Sequence, residues 1–199
     1  ASIPWIRQIT IAGQLGYIES VSGRFLDSRN RGGRVEVELQ NSDWWTAVFT
    51  ESFERLDDGT TISGATFPSG RYSFNDLELG YTFGPHRRVS GNLSVRWGGF
   101  FSGDVFSVGF SRGRVELLPG LSLEPNVELN WIDVPNEDGS SQTVEQHVAR
   151  TRVVYGISPR MYVSGLVQYN SGSGSVSANF RFRWEWAPGS ELFVVYTED

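Results

Sequence analysis

The sequence predicts an all-β protein whose strands follow one another as an antiparallel, up-and-down meander. Apolar and polar residues alternate along most of the chain, and the spacing of three or four residues that indicates a helix is almost absent. The composition agrees with this pattern, because the 199 residues include 23 Gly, 13 Phe and seven each of Trp and Tyr. Such enrichment is typical of twisted sheets that carry aromatic belts.

Eleven segments show this alternation and are predicted to be strands. They are 7–20, 33–40, 44–55, 71–83, 88–99, 104–117, 121–133, 142–156, 161–170, 174–186 and 190–198. In the seventh of them, for example, Leu121 and Leu123 alternate with Ser122 and Glu124. No Pro- or Ser-rich linker and no run of charge divides the segments, so we expect a single domain over 1–199.

Two of the segments contain an irregularity. In 104–117 the apolar positions change phase, which predicts a β-bulge near Arg112–Gly113. Pro125 lies inside 121–133, where its neighbours alternate regularly. Because proline cannot donate a backbone hydrogen bond, it marks either an edge strand or a bulge.

The stretch "GSVSANFRFRWEW" (174–186) shows the two faces of a strand clearly. One side carries Phe180, Phe182, Trp184 and Trp186, and the other carries Asn179, Arg181, Arg183 and Glu185. In a soluble sheet the aromatic side would form the core and the arginines would face water. In a membrane barrel the aromatic side would face lipid and the arginines a wet interior. Alternation alone leaves both arrangements open.

The connections between the predicted strands alternate in length. Short, turn-like connections lie at 41–43, 84–87, 118–120, 158–160 and 187–190, whereas 21–32, 56–70 and 134–141 are longer and polar. Successive hairpins of a meander turn at opposite ends, so the tight turns collect at one end. Outer-membrane β-barrels have this asymmetry, whereas a Greek-key sandwich needs a few long connections between its sheets. We therefore expect about 10 to 12 strands that form a transmembrane β-barrel or part of a larger one.

The composition argues against several classes of function. The net charge is −6 and all 17 basic residues are arginine, so no basic face is supplied for nucleic acid. The absence of Cys excludes thiol chemistry, and His86 and His147 lack the spacing of a zinc site. No nucleophile elbow, P-loop or dinucleotide-binding glycine motif occurs. We expect no catalytic activity, no metal site and no cofactor.

Several stretches of the sequence resemble a known family. The most specific are "LVQYN" (166–170), "RFRW" (181–184), and "PGS" (188–190) followed by "LFVVY" (192–196). They resemble the bacterial family catalogued as domain of unknown function 5916. Its members are similar to outer-membrane β-barrels and usually carry an N-terminal sandwich similar to family 9 carbohydrate-binding modules. The resemblance implies the C-terminal portion of a longer barrel, and a count of eleven strands agrees with this, since single-chain bacterial barrels have an even number.

Charged residues on the polar phase of their strands are predicted to face the interior of the barrel. They are Arg96, Glu124, Glu128, Arg150, Arg152, Arg181, Arg183 and Glu185. The arginines could line an anion-selective or sugar-phosphate path. The favoured alternative is that they form ion pairs with carboxylates of neighbouring strands. The candidate carboxylates are Glu78, Glu124, Glu128, Glu145 and Glu185.

Aromatic residues on the opposite phase are predicted to form lipid-facing belts, because amphipathic rings favour the membrane–water interface. They are Trp131, Tyr155, Phe180, Trp184, Trp186 and Tyr196, together with Trp44 and Tyr81. We therefore expect the chain in a bacterial outer membrane, in contact with its lipids. Further barrel strands, from the same polypeptide or another chain, are the other expected partner.

The expected function is that of a porin-like, transport or surface-display component, linked to carbohydrate only by analogy with the family's sandwich module. The alternative from another class is a soluble extracellular β-sandwich that binds polysaccharide through exposed tryptophans. The two hypotheses differ in what covers the aromatic face, which is lipid in the first and other protein residues or sugar in the second.

Overall fold

The computed structural model of the chain describes residues 3–21, 25–62, 65–135 and 140–198. These residues form strands and turns, with no helix among them. The strands are β1 (Ile6–Glu19), β2 (Leu26–Leu39), β3 (Trp44–Leu56), β4 (Thr60–Ile62), β5 (Ala65–Phe67), β6 (Gly70–Phe83), β7 (Val89–Phe100), β8 (Gly103–Leu118), β9 (Leu121–Pro135), β10 (Ser141–Ser158), β11 (Met161–Asn170), β12 (Ser175–Ala187) and β13 (Ser190–Glu198). No helix in the described ranges has the length and apolar content needed to cross a membrane.

One large antiparallel sheet contains eleven of the described strands. Its order is β1-β2-β3-β6-β7-β8-β9-β10-β11-β12-β13, so neighbours in the sheet are neighbours along the chain except where β4 and β5 intervene. The prediction of an all-β meander is confirmed, and each of the eleven predicted segments corresponds to one strand of this sheet.

The connections follow the predicted alternation in length only in part, because 101–102 and 171–174, at the end of the longer loops, are as short as the tight turns. Tight turns occupy 40–43, 84–88, 119–120, 159–160 and 188–189. The first of them is held by Asp43, which is fully buried and accepts hydrogen bonds from the Asn41 amide and the Tyr81 hydroxyl. Residues 22–24, 63–64 and 136–139, within the three longest connections, lie outside the described ranges.

The second strand is longer than predicted. β2 begins at Leu26, so the prediction of a loop over 21–32 is wrong for most of that stretch. Its polar residues pair with strands on both sides, and Arg29 lies opposite Tyr17 of β1 and Phe53 of β3. Backbone hydrogen bonding to two neighbours outweighs the low strand preference of Asp, Asn and Gly.

Close backbone packing groups the chain into two compact units, each assembled from separate stretches of sequence. The first unit contains Ala1–Thr82, Leu93–Val108 and Asn130–Gln146, and the second contains Phe83–Asn92, Gly109–Leu129 and His147–Asp199. The single domain predicted over 1–199 stays a prediction.

A small hairpin lies within the predicted loop 56–70 and was not indicated by the sequence pattern. In this hairpin β4 pairs with β5, and Thr61 and Thr66 face each other with their hydroxyls 3.1 Å apart. Its apolar side carries Phe67, which has no exposed surface. The Phe67 ring lies 4.7 Å from the Phe101 ring and 5.7 Å from the Phe100 ring, centroid to centroid.

This hairpin cluster is the buried apolar core of the first unit. Its fully buried members are Ala65, Phe67, Val105, Ile132 and Val134, with Leu56, Ile62, Tyr72, Phe100, Phe101 and Val144 packed around them. Stacked and edge-on rings of this kind stabilise one another beyond the area they bury.

The predicted bulge and the unusual proline are parts of one irregularity in the second unit. Arg112 has a φ of 52°, a left-handed conformation that interrupts regular strand geometry. A side chain at Gly113 would collide with the backbone of Pro125, so these two residues face each other closely across β8 and β9. A proline is tolerated in an interior strand because the bulge stands opposite to it.

The aromatic ring of Phe110 covers the irregularity at Gly113. A Cβ atom at Gly91 would lie 2.7 Å from Cζ of Phe110, and one at Gly113 would also meet that ring. The φ of Gly91 is 142°, a conformation that other residues rarely adopt. Phe110 therefore fills the space that two glycines leave open, which is a known way to stabilise glycines in curved sheets.

We expect Phe67→Ala to destabilise the hairpin cluster by about 3–5 kcal/mol, because the substitution removes a fully buried ring. Amide hydrogen exchange should become faster in β4 and β5, and the urea midpoint of the folded chain should fall. Phe193→Ala is the matched control, since Phe193 is 55% exposed. Equal losses in the two variants would contradict the assignment of Phe67 to a core.

Candidate functional site

The sheet of the first unit has an apolar face and a polar face. Residues that pair across antiparallel strands share a face. The mainly apolar face, defined by these pairs, carries Ile9, Ile11, Leu15, Tyr17, Val35, Val37, Trp45, Phe49, Leu77, Leu79 and Tyr81. Away from the first tight turn it also carries Arg29, Arg31 and Glu51, which lie opposite Tyr17, Leu15 and Arg31. Ile11 is 78% exposed and Trp45 is 52% exposed. The polar face carries pairs such as Thr50 with Asp76.

The second unit has the same division. Its apolar face carries Val153, Tyr155, Val163, Val167, Tyr169, Phe180, Phe182, Trp184, Leu192, Val194 and Tyr196. Most of these side chains are exposed, although they are large and apolar. The polar face of this unit carries mainly Arg150, Arg152, Ser164, Gln168, Asn179, Arg181, Arg183, Glu185, Glu191 and Thr197.

The residues predicted to form aromatic belts lie on the apolar faces, with one exception. Trp186 joins Trp184, with the two ring centroids 6.1 Å apart. Trp131 packs on Phe106 in the first unit at 5.7 Å. The placement of Trp44 was wrong, because Trp44 pairs with Glu38 on the polar face while its neighbour Trp45 lies on the apolar face. Contact of these aromatic residues with lipid stays a prediction.

The residues predicted to face an interior lie on the polar faces. Arg150, Arg152, Arg181, Arg183 and Glu185 are placed there by strand pairing. Glu124 follows because its carboxylate lies 4.0 Å from the Arg152 guanidinium, and Glu128 shares its phase on β9. Arg96 belongs to the polar face of the first unit, where it contacts Asp76.

Arg96 and Asp76 form a two-pronged ion pair between β7 and β6. The Arg96 Nε donates to one Asp76 oxygen at 2.8 Å, and Nη2 donates to the other at 3.1 Å. The Asp76 side chain is only 7% exposed, whereas that of Arg96 is 36% exposed. A carboxylate so buried depends on its partner, because an unpaired charge out of contact with water is costly.

A second two-pronged pair joins β12 and β13 near their turn. Arg183 donates from Nε and Nη2 to the two Glu191 oxygens at 2.7 and 2.8 Å. Both side chains are well exposed, so the pair stabilises the hairpin only weakly. Glu185 instead accepts a hydrogen bond from the backbone of Gly189, and Arg181 donates to Asn179.

The prediction that arginines pair across strands is therefore confirmed for Arg152 with Glu124, while two other partners differ from the candidates. Asp76 takes the place of Glu78, and Glu191 takes the place of Glu185. Asp76 lies two residues before Glu78 on β6, and Glu191 lies directly opposite Glu185 on the neighbouring strand. Sequence alternation gives the phase of a strand, but it does not give the offset between two strands that decides which charges meet.

A groove on the polar face of the second unit collects more arginines than its carboxylates neutralise. It has a volume of about 360 Å³ and is lined by Arg112, Gly113, Arg114, Glu124, Pro125, Asn126, Arg150, Arg152 and Leu166. We call it the arginine groove. Sequence reasoning missed Arg112 and Arg114, because the bulge at Arg112 shifts the alternation on which the candidates were chosen.

The polar faces of the described residues carry several arginine side chains. No group of three or more His, Asp or Glu side chains within them is arranged to hold a metal ion. What the polar faces can do chemically is donate guanidinium hydrogen bonds to anions and to the carboxylates already present.

We expect the same substitution at the two ion pairs to have unequal effects. Arg96→Gln should lower the free energy of unfolding by about 3 kcal/mol, because it leaves Asp76 buried and unpaired. Arg183→Gln should lower the free energy of unfolding much less, because its pair is exposed and screened by solvent. Urea unfolding in one detergent measures both.

Asp76→Asn in the Arg96→Gln background serves as the control for this prediction. It removes the buried charge and should restore most of the lost stability. A double variant as unstable as Arg96→Gln alone would contradict the role given to the charge of Asp76.

Comparison with known proteins does not assign the chain to a family. No family model, no curated protein and no solved structure matches the chain. The function is therefore inferred from the two faces of the sheet, the strand lengths and the charges described above.

Proposed function

We propose that the chain is a bacterial outer-membrane β-barrel protein, or the C-terminal part of a larger barrel of this kind. In this proposal the apolar faces contact lipid and the polar faces line a wet interior. The passage of small solutes, or display at the cell surface, is the corresponding role. The resemblance to the family catalogued as domain of unknown function 5916 agrees with the same location.

The observation that carries the proposal is the exposure of the apolar faces. Ile11 is 78% exposed, Phe180 44% and Tyr196 59%. Ile11 lies opposite Val35, and Phe180 lies opposite Tyr196. Soluble monomers rarely expose contiguous apolar patches beyond a few hundred Å². The polar faces carry the ion pairs of Arg96 and Arg183, whereas Arg29, Arg31 and Glu51 are charged residues on the mainly apolar face of the first unit. The usual arrangement of a soluble sheet would need another layer to cover the apolar side chains.

Strand length supports the proposal. A tilted strand needs about 9–11 residues to cross the hydrocarbon layer. β13 has 9 residues and is the shortest strand of the large sheet within the described ranges, while β10 has 18. Every one of these strands is long enough to cross.

The positions of the aromatic residues support it as well. Trp45, Tyr81, Tyr155 and Trp184 lie near the tight turns, whereas Tyr17, Tyr169 and Tyr196 lie towards the opposite ends of their strands. Aliphatic residues such as Val153 and Val194 lie between. Barrels of the outer membrane carry aromatic girdles at both interfaces with an aliphatic band between them.

A cleft on the apolar face of the first unit bears on the alternative, polysaccharide binding. Trp45 and Trp97 flank a space of about 550 Å³ whose other lining residues are Leu79, Gly80, Tyr81, Leu93 and Val95. Sugar sites combine aromatic rings with polar groups that fix the hydroxyls. Here the walls are aliphatic and the Tyr81 hydroxyl already donates to Asp43, so hydrocarbon chains fit better.

We expect lipids to quench the fluorescence of Trp45 but not that of Trp44. The two residues are consecutive and lie on opposite faces, so they form a matched pair. Two variants, each keeping one of them with all other tryptophans replaced by Phe, would be folded into vesicles of brominated phosphatidylcholine. Strong quenching of Trp45 alone is the expected result.

Two outcomes would contradict the membrane proposal. One is equal quenching of Trp44 and Trp45. The other is a stable, monodisperse monomer in buffer without detergent, since exposed apolar faces of this extent would then have to be covered by the protein itself.

We expect Arg181→Glu to shift the ion selectivity of the chain in planar bilayers towards cations. The Arg181 guanidinium donates to Asn179, and no carboxylate pairs with it in the described part of the chain. Replacing it reverses an uncompensated charge on the polar face. The double variant Arg183→Gln/Glu191→Gln is the control, since it removes a neutral pair and leaves the net charge of the polar face unchanged. Unchanged current and selectivity would remove Arg181 from any pathway.

A further inference from the structure

The arginine groove carries an excess of positive charge, whereas the chain as a whole is negatively charged. The whole sequence has a net charge of −6. Four arginines line the groove, and Glu124 is the one carboxylate among the lining residues, so the formal charge there is 4 − 1 = +3. A local excess of this sign on an acidic protein attracts anions.

The ion pairs within the groove are weak. Arg152 approaches Glu124 only to 4.0 Å, and Arg114 lies 3.3 Å from Glu116, with both side chains more than half exposed. Arg112 and Arg150 make no ion pair or side-chain hydrogen bond with the described residues. These two guanidiniums keep their donors free for a ligand.

The backbone holds the four arginines around one spot. β9 lies between β8 and β10, so Glu124 and Asn126 stand between Arg112 and Arg114 on one side and Arg150 and Arg152 on the other. Neighbouring strands lie about 4.8 Å apart, which places the two arginine pairs roughly 10 Å from each other at the backbone. The arginine side chains of β8 and β10 can therefore contact one ligand that lies over Asn126 of β9.

The bulge makes this arrangement possible. In a regular strand Arg112 and Arg114 would continue the phase of Phe106 and Phe110, which belongs to the apolar face. The left-handed conformation of Arg112 moves the following residues into the opposite phase. A strained backbone position kept at a charged cluster indicates a function for the cluster.

We propose that the arginine groove binds a soluble phosphate group, held by guanidinium hydrogen bonds from Arg112 and Arg150 with support from Arg114, Arg152 and the amide of Asn126. A planar guanidinium can donate two parallel hydrogen bonds to two oxygens of one phosphate group. The groove lies on the polar face, away from the apolar residues proposed to contact lipid, so a lipid headgroup is the less suitable source of the phosphate.

The test is calorimetric titration of the full chain with inorganic pyrophosphate, in zwitterionic detergent at low ionic strength. One site per chain is expected. Arg112→Gln and Arg150→Gln should each weaken binding about tenfold, the loss expected for one charge-assisted hydrogen bond. Glu124→Gln should tighten binding, because it removes the carboxylate that competes with the ligand.

Arg34→Gln is the matched control, since Arg34 lies on the polar face of the first unit and pairs with Glu36 at 2.7 Å. It should leave the affinity unchanged. Absence of pyrophosphate binding to the native chain, or an equal loss in Arg34→Gln and Arg150→Gln, would overturn the proposal. So would displacement of pyrophosphate by phosphatidylglycerol added to the micelles.

Arg150→Lys guards against a folding defect. Lysine keeps the positive charge but lacks the planar guanidinium with its paired donors. This variant should therefore bind pyrophosphate more weakly than the native chain and more tightly than Arg150→Gln. Binding in micelles does not depend on the bilayer measurements, and failure of this proposal would therefore leave the proposed lipid contacts untouched.

Discussion

The strict alternation of apolar and polar side chains is the constraint on which the rest of the structure depends. A strand presents successive residues to opposite sides, so a sequence with period two gives its strands one mainly apolar and one mainly polar face. Pairs such as Trp45 with Tyr81, and Thr50 with Asp76, show that the strands of the sheet agree on these faces. A shift of one residue in a pairing would exchange the two faces of a strand, which makes the register strongly specified. Arg29, Arg31 and Glu51 are the charged exceptions on the apolar face of the first unit.

The charges of the polar faces serve two different purposes. Asp76 is buried and depends on Arg96, so that pair belongs to the framework of the sheet. Glu191 and Arg183 are exposed and contribute little beyond orienting a hairpin. Arg112 and Arg150 differ from both, because their charges are not neutralised locally and are available to something outside the chain.

Much of the fold could be predicted because the information is local. Each of the eleven long strands was visible as an alternating segment, and the phase change near Arg112 pointed to its bulge. What depends on contacts between distant segments could not be predicted. Leu26–Arg31 is polar and forms a strand only because β1 and β3 lie on either side, and the β4–β5 hairpin is defined by Phe67 reaching Phe101. The partners of Arg96 and Arg183 depend on register, which a single sequence does not contain.

The hairpin cluster has a consequence for how the chain is made. Phe67 is covered by Val105, which follows it by about a fifth of the chain's length, and by Ile132 and Val134, which follow it by about a third. During synthesis it stays exposed until those later strands have formed, since contacts between distant segments close late. Until then the segment around Phe67 is an exposed apolar stretch. We expect a chaperone that recognises aromatic segments to bind it there.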